Sequence, residues 1–184
     1  MAKKAFINQS ISDEIIDQKK QLESFLGDLA MALTMNESYE MKNYIDLTDG
    51  CITNIMDEFM LEDITDNELE KYNDWQREMI LTYRDHDLIE IESISTHESF
   101  EIMESFADSQ PEDVCNGLFD ALNRRHPFSN FQTAVRNLGV LQEWYDFKNN
   151  AEREIAVQWL KDNDLEFVEG KVRKSYPPPS GNAS

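Results

Sequence analysis

Three histidines and two cysteines are the side chains of this 184-residue chain with the most nucleophilic and metal-binding chemistry to offer. None of them sits in a spacing that uses it. His86 lies in Asp85-His86-Asp87 and His97 in Thr96-His97-Glu98. Zinc requires three or four converging ligands, and the chain has no HxxxH, no HExxH and no paired cysteines. These histidines read as helix-end and loop residues, with no metal and no cofactor expected. Cys51 and Cys115 form no CxxC or CxxH and have no flanking histidine signature. They read as free thiols in a reducing compartment. Asp46, Asp49 and Gly50 lack the alternating acids that a calcium loop places before its glycine. GxSxG, GxxxxGK(S/T) and GxGxxG are all absent, and the six glycines stand alone. Acid pairs are so abundant that their proximity carries no information about acid–base catalysis.

What remains is an aromatic-basic cluster: Arg124, Arg125, His126, Phe128, Phe131, Arg136, Trp144, Tyr145, Phe147 and Trp159. Most of it has a structural explanation. Phe128, Phe131, Trp144 and Trp159 are spaced to bury one face, and the cations suit a helix C-terminus, where the dipole favours them. Trp144 and Tyr145, however, are adjacent on a helix and cannot both face the same core. One is left for a partner, beside the only local positive charge. Arg and aromatic residues are the usual interface anchors. Arg124, Arg125, Phe128, Trp144 and Tyr145 are therefore the candidate partner-binding residues.

Charge narrows the partner. The chain has 37 acids against 17 bases, a net of −20. Residues 26–110 carry 22 acids and four bases. Such a field repels nucleic acid and anionic lipid and keeps a chain dissolved. A groove that tracks phosphates would need clustered Lys and Arg. The acids read first as a solvated face. A second reading is an acidic decoy, mimicking nucleic acid before a basic protein. A third is a metal-assisted hydrolase, since hard cations accept Asp and Glu from anywhere in a fold.

The elements that must position these residues are mixed. A helix is expected from Ser12, with Ile15, Leu22, Leu26, Leu29 and Leu33 on one face and a stop at Asn36 and Ser38. Tyr39–Leu47 and Cys51–Met56 alternate as strands around a turn ending in Gly50, a hairpin signal. Residues 66–85 read as helix with a break near Asn73, because Thr65…Glu68 and Asn73…Gln76 both fit a capping box. Asp87–Glu92 reads as a third strand of the same small antiparallel sheet. Helices follow from Ser95, from Pro111, from Ser129 to Gly139, and from Leu141 to about Asn163, with a further strand at Leu165–Val168. The tail from Glu169, with Tyr176-Pro177-Pro178-Pro179, reads as unstructured. The expectation is an α+β fold, the hairpin plus one strand packed with a mainly helical C-terminal layer. Residues 1–25 form a helical extension, 26–168 the single domain and 169–184 a disordered tail. No apolar run reaches the ~20 residues of a membrane span, and no signal peptide is read at the start. A cytoplasmic location follows as the expectation.

Arg124-Arg125-His126-Pro127-Phe128-Ser129-Asn130-Phe131 resembles the signature of a bacterial family, uncharacterised protein family 0158. The likeness continues through Leu138-Gly139-Val140-Leu141, Glu143-Trp144-Tyr145-Asp146-Phe147 and Ala156-Val157-Gln158-Trp159-Leu160. Looser likeness extends back to residue 26, through Leu29-Ala30-Met31-Ala32-Leu33, Trp75-Gln76-Arg77-Glu78 and Ile102-Met103-Glu104-Ser105-Phe106. Asn130 and Gln132 stand where the resemblance places basic residues, which removes support for an anion site on that helix. The family implies no activity. The leading expectation is therefore a non-enzymatic interaction or regulatory module that binds a protein.

Overall fold

The computed structural model describes residues 2–35, 41–61 and 63–175, with the backbone alone for 2–13. Contacts group them into two units. One is Ile94–Ile155; the other is the chain up to Ser93 together with the chain from Ala156. The expected helix stop at Asn36 and Ser38, the strand start at Tyr39 and Glu40, and the proline-rich end from Tyr176 lie outside the described residues.

The first unit is built on helix α1 (Ala2–Thr34), ten residues longer at its start than the Ser12 cap predicts. Its Phe25, Leu26, Leu29, Ala30, Ala32 and Leu33 are buried. Strands β1 (Met41–Asp46) and β2 (Cys51–Met56) form the hairpin, and β3 (Leu88–Glu90) adds to β1, all antiparallel in the order β2-β1-β3. Gly50 closes the turn at φ +73°. A Cβ there would lie 2.6 Å from the Lys171 Cβ, so both the backbone and the space demand glycine. Between β2 and β3 come a 3-10 turn (Asp57–Phe59) and helices α2 (Asp66–Leu69) and α3 (Asp74–Asp85). The break at Asn73 is present, with capping boxes at both Thr65 and Asn73. Phe59, Leu69 and Ile80 make the core under these helices.

The Ile94–Ile155 unit contains helices α4 (Thr96–Asp108), α5 (Glu112–Leu122), α6 (Pro127–Asn137) and the first two-thirds of α7 (Leu141–Asp162). Ser95 caps α4 by a reciprocal bond with Glu98. Helix α6 starts at Pro127, two residues before the expected Ser129 cap, with His126 in the left-handed region at φ 65°. Proline suits a first helical position because the N–H it lacks would have no helical partner there.

The chain from Ala156 completes the first unit. Strand β4 (Leu165–Val168) pairs antiparallel with β5 (Lys171–Lys174), where the sequence predicts a tail. Phe167 stacks on Phe25 of α1 at 4.7 Å, and Val172 is 1% exposed. The protein is an α+β fold. Among the described residues no helix is long and apolar enough to cross a membrane.

Candidate functional site

Two features of the sheet-containing unit stand out, a buried polar pair and an open apolar trough. The pair joins Asp46, the last residue of β1, to His86, which follows α3. Asp46 is 2% exposed. Its Oδ1 accepts from the backbone N–H of Thr48 and Asp49 (2.9 and 3.1 Å), and its Oδ2 lies 2.7 Å from His86 Nδ1. The Asp46 hydrogen bond, helped by the charges of Asp46, Asp49 and Asp85 and opposed by partial burial, raises the His86 pKa above its ordinary 6.5. The sequence reading of His86 as a plain loop residue is corrected on this point. A buried carboxylate needs a partner, and His86 supplies it. Asp46, Asp49 and His86 also bring three ligand atoms within 4.8 Å of one another. Both Asp46 oxygens are already committed to hydrogen bonds, so the trio acts first as a staple between β1 and the chain entering β3. Nearby Cys51 is exposed, and partial desolvation with the charges of Asp46 and Asp49 raises its thiol pKa. That thiol is a poor nucleophile at neutral pH.

The trough runs between α1 and the sheet. Its volume is about 720 Å³, and its apolar lining includes Phe25, Met31 and Met35 of α1, Met41 and Ile52 of the hairpin, and Phe167. Met31, Met35 and Met41 remain 60%, 54% and 41% exposed. Asn43 and Asn54 also line it, and the Asn54 side-chain Nδ2–H donates to the Asn43 side-chain Oδ1 across the hairpin. Asp28 is the single charged residue among the described lining, which has no Lys or Arg.

The main-chain phase of the hairpin sets what the trough offers. Ile91 N–H donates to the Asn43 carbonyl and Leu47 N–H to the Asp87 carbonyl, both at 2.8 Å. Residues 43, 45 and 47 of β1 therefore turn their backbone groups to β3, and 42, 44 and 46 turn theirs to β2. In the register Tyr44↔Thr53, residues 51, 53 and 55 answer them. Ile52 and Asn54 consequently direct N–H and C=O to the outer edge. Gly50, in the turn just before β2, donates its own N–H to the Asp46 carbonyl at 2.8 Å and accepts from Val172 N–H at 3.0 Å. The outward backbone groups of Ile52 and Asn54 have no backbone partner among the described residues.

The residues expected to bind a partner all fall in the other unit. Trp144 is 2% exposed, packed edge-on against Phe106 (5.3 Å) and Phe131 (4.9 Å). It is a core residue and is withdrawn from the partner-binding set. Its buried Nε1–H has no hydrogen-bond partner among the described residues, so its fixed role is packing among rings. Tyr145, one residue on and turned ~100° around the helix, is 41% exposed. Phe128 is 39% exposed and meets Phe100 edge-on at 6.4 Å. Arg124 and Arg125 are exposed just beyond the end of α5. Among the described residues no hydrogen bond, ion pair or ring contact joins Tyr145 to Phe128 or to either arginine.

No solved structure matches this chain. A UPF0158 protein of Pseudomonas aeruginosa is 33% identical over 96 residues, which is 51% of this chain and 63% of that relative's length. The aligned stretch thus spans less than two-thirds of the relative. The sequence model of the uncharacterised protein family UPF0158 matches residues 15–180, wider at both ends than the resemblance read from residues 26–168, and the chain belongs to that family.

Proposed function

We propose that this chain is a protein-binding module whose docking surface is the methionine-lined trough between α1 and β2. One observation carries the reading: three methionines around a concave apolar surface, each more than 40% exposed, in a chain of net charge −20. Isolated exposed apolar residues are ordinary, whereas a contiguous apolar concavity marks a binding surface. Methionine suits such a surface because its unbranched, polarizable side chain adapts to what it meets. A catalytic reading has less support, since the Asp46–His86 pair is absorbed in holding the turn and the Cys51 thiol is kept protonated.

The test is site-specific crosslinking in cells that natively make the chain. A photoreactive residue replaces Met31 in one variant and Tyr145 in another. The expected result is a discrete crosslinked protein from position 31 that is absent from position 145. With that partner purified, Met31→Asp with Met35→Asp should weaken binding by about tenfold or more, since two buried methionine contacts are each worth over a kilocalorie. Equal affinity of the double variant and the parent removes the trough as the docking surface.

A further inference from the structure

We propose that the trough takes its partner by strand addition: an extended segment of another protein, apolar side chains alternating with Lys or Arg, pairs with the outer edge of β2. This rests on the trough being the docking surface and adds how the partner is held.

The first support is the state of the two sheet edges. An edge strand exposes unpaired N–H and C=O groups, and proteins ordinarily blunt it with shortness, charge, proline or a bulge. Edge β3 follows that rule. It has three residues, and Asp87, Glu90 and Glu92 flank or occupy it, with Glu90 tied to Lys42 at 2.7 Å. Edge β2 does not. Cys51-Ile52-Thr53-Asn54-Ile55-Met56 runs six residues with no charge, no proline and an unbroken register against β1. Among the described residues the β4–β5 hairpin gives this edge one backbone hydrogen bond, from Val172 to Gly50 just before the strand begins.

The second support is that the bare edge and the apolar trough coincide. Ile52 and Asn54, the two residues whose backbone groups face outward, also line the trough beside Met31, Met35 and Met41. An incoming strand pairs with those groups while every second side chain enters the apolar lining. A docked helix would fill the lining but leave the edge groups of Ile52 and Asn54 unanswered.

Charge selects the chemistry of the segment. The described lining has one charged residue, Asp28, and residues 26–110 carry 22 acids against four bases. Lys or Arg on the outward alternate positions meet that field, and acidic residues there are repelled. A second copy of this chain would bring the same strongly negative field to the interface. Self-pairing at β2 is therefore disfavoured.

The test uses the full chain and a labelled peptide of about seven residues with Val and Ile alternating with Lys. Two twins accompany it, one N-methylated at the amides that would face β2 and one with Glu for Lys. Anisotropy should show the Lys peptide binding about tenfold or more tighter than either twin, and amide exchange at Ile52 and Asn54 should slow on binding. Ile52→Pro removes an outward N–H that β1 does not use, so it should weaken binding about tenfold while the melting curve stays near that of the parent. Failure of the Lys peptide to bind, or equal binding by the N-methylated twin, overturns strand addition without recourse to a variant. Loss of the crosslinked partner by the Met31→Asp, Met35→Asp variant together with full binding by Ile52→Pro leaves the docking trough standing and removes the strand. A concentration-dependent dimer of the free chain that Ile52→Pro dissolves would assign the edge to a second copy and overturn the proposal.

Discussion

The two units of this chain differ in which large apolar side chains they bury and which they leave outside. In the Ile94–Ile155 unit three aromatic residues turn inward: Phe106, Phe131 and Trp144 are at most 2% exposed and meet one another edge-on. Each unit buries a carboxylate, Asp46 at 2% and Glu152 at 9% exposed, but the sheet-containing unit also leaves three methionines outside. The first arrangement minimises free energy and offers little to a ligand. The second leaves apolar area unburied, which costs stability. Where a fold accepts such a cost, function is the first explanation to test. If the proposed trough is the docking surface, aromatic and arginine-rich sequence is a poor guide to it, and an uncharged edge strand is a better one.

The largest expected effect probes the claim that the aromatic cluster is structural. Trp144→Ala should destabilise the protein by about 3–5 kcal/mol, the cost of emptying a large ring site. Trp144→Phe should recover most of it, because the lost Nε1–H has no hydrogen-bond partner among the described residues. Urea unfolding of the three proteins reads the difference. A loss for Trp144→Ala below about 1 kcal/mol, the level of a surface change, would break the contrast between the units.

What the sequence made legible was local. The capping boxes at Thr65, Asn73 and Ser95 and the left-handed Gly50 of the hairpin each depend on residues within a few positions of one another, and each is present. Strand β5 was hidden because Lys171-Val172-Arg173-Lys174 has one apolar residue. Its signal was the two-residue loop Glu169-Gly170, where both φ values are positive, at 53° and 80°, as a type I′ hairpin requires. Trp144 and Tyr145 were read correctly as facing different ways, but nothing local decides which of the two a core will take. The Asp46–His86 pair spans 40 residues in sequence. It becomes visible only through the β1–β3 register, in which Asp46 stands opposite Leu88. Both strands were predicted; the consequence for the residues just outside the shorter one was not drawn from them.

A smaller effect tests whether the buried polar pair is a staple. His86→Asn removes the cation facing Asp46 while the two backbone N–H bonds to its Oδ1 remain. The expected loss at pH 6 is about 2 kcal/mol, below the full cost of stranding a buried charge because His86 is partly exposed. The pH dependence has a definite sign. Because the folded-state pKa of His86 is raised, the folded protein holds a proton that the unfolded chain releases near 6.5. The ionic part of the staple is therefore complete below that value and is lost as pH rises through the folded-state pKa. The stability gap between parent and His86→Asn should narrow from pH 6 toward pH 8, as measured by urea unfolding. Asp49 and Asp85, which also favour the imidazolium, can be replaced by Asn to move the window down. A gap that stays constant with pH would show that His86 holds Asp46 as a neutral donor only.

Tyr145 gives the smallest expected change and the sharpest separation of the two units. Its side chain is 41% exposed and has no ring partner among the described residues. Tyr145→Ala should therefore alter stability by no more than about 0.5 kcal/mol. Stability cannot distinguish an idle surface ring from a binding one, so the informative readout is affinity for the partner crosslinked at position 31. If binding belongs to the trough alone, Tyr145→Ala leaves that affinity unchanged, and Arg124→Ala and Phe128→Ala do likewise. A loss at Tyr145 comparable to that of the Met31→Asp, Met35→Asp variant would mean that the exposed aromatic of the helical unit shares the work. The inference from unburied methionine to function would then lose its exclusivity, because the same inference would apply equally to an unburied tyrosine.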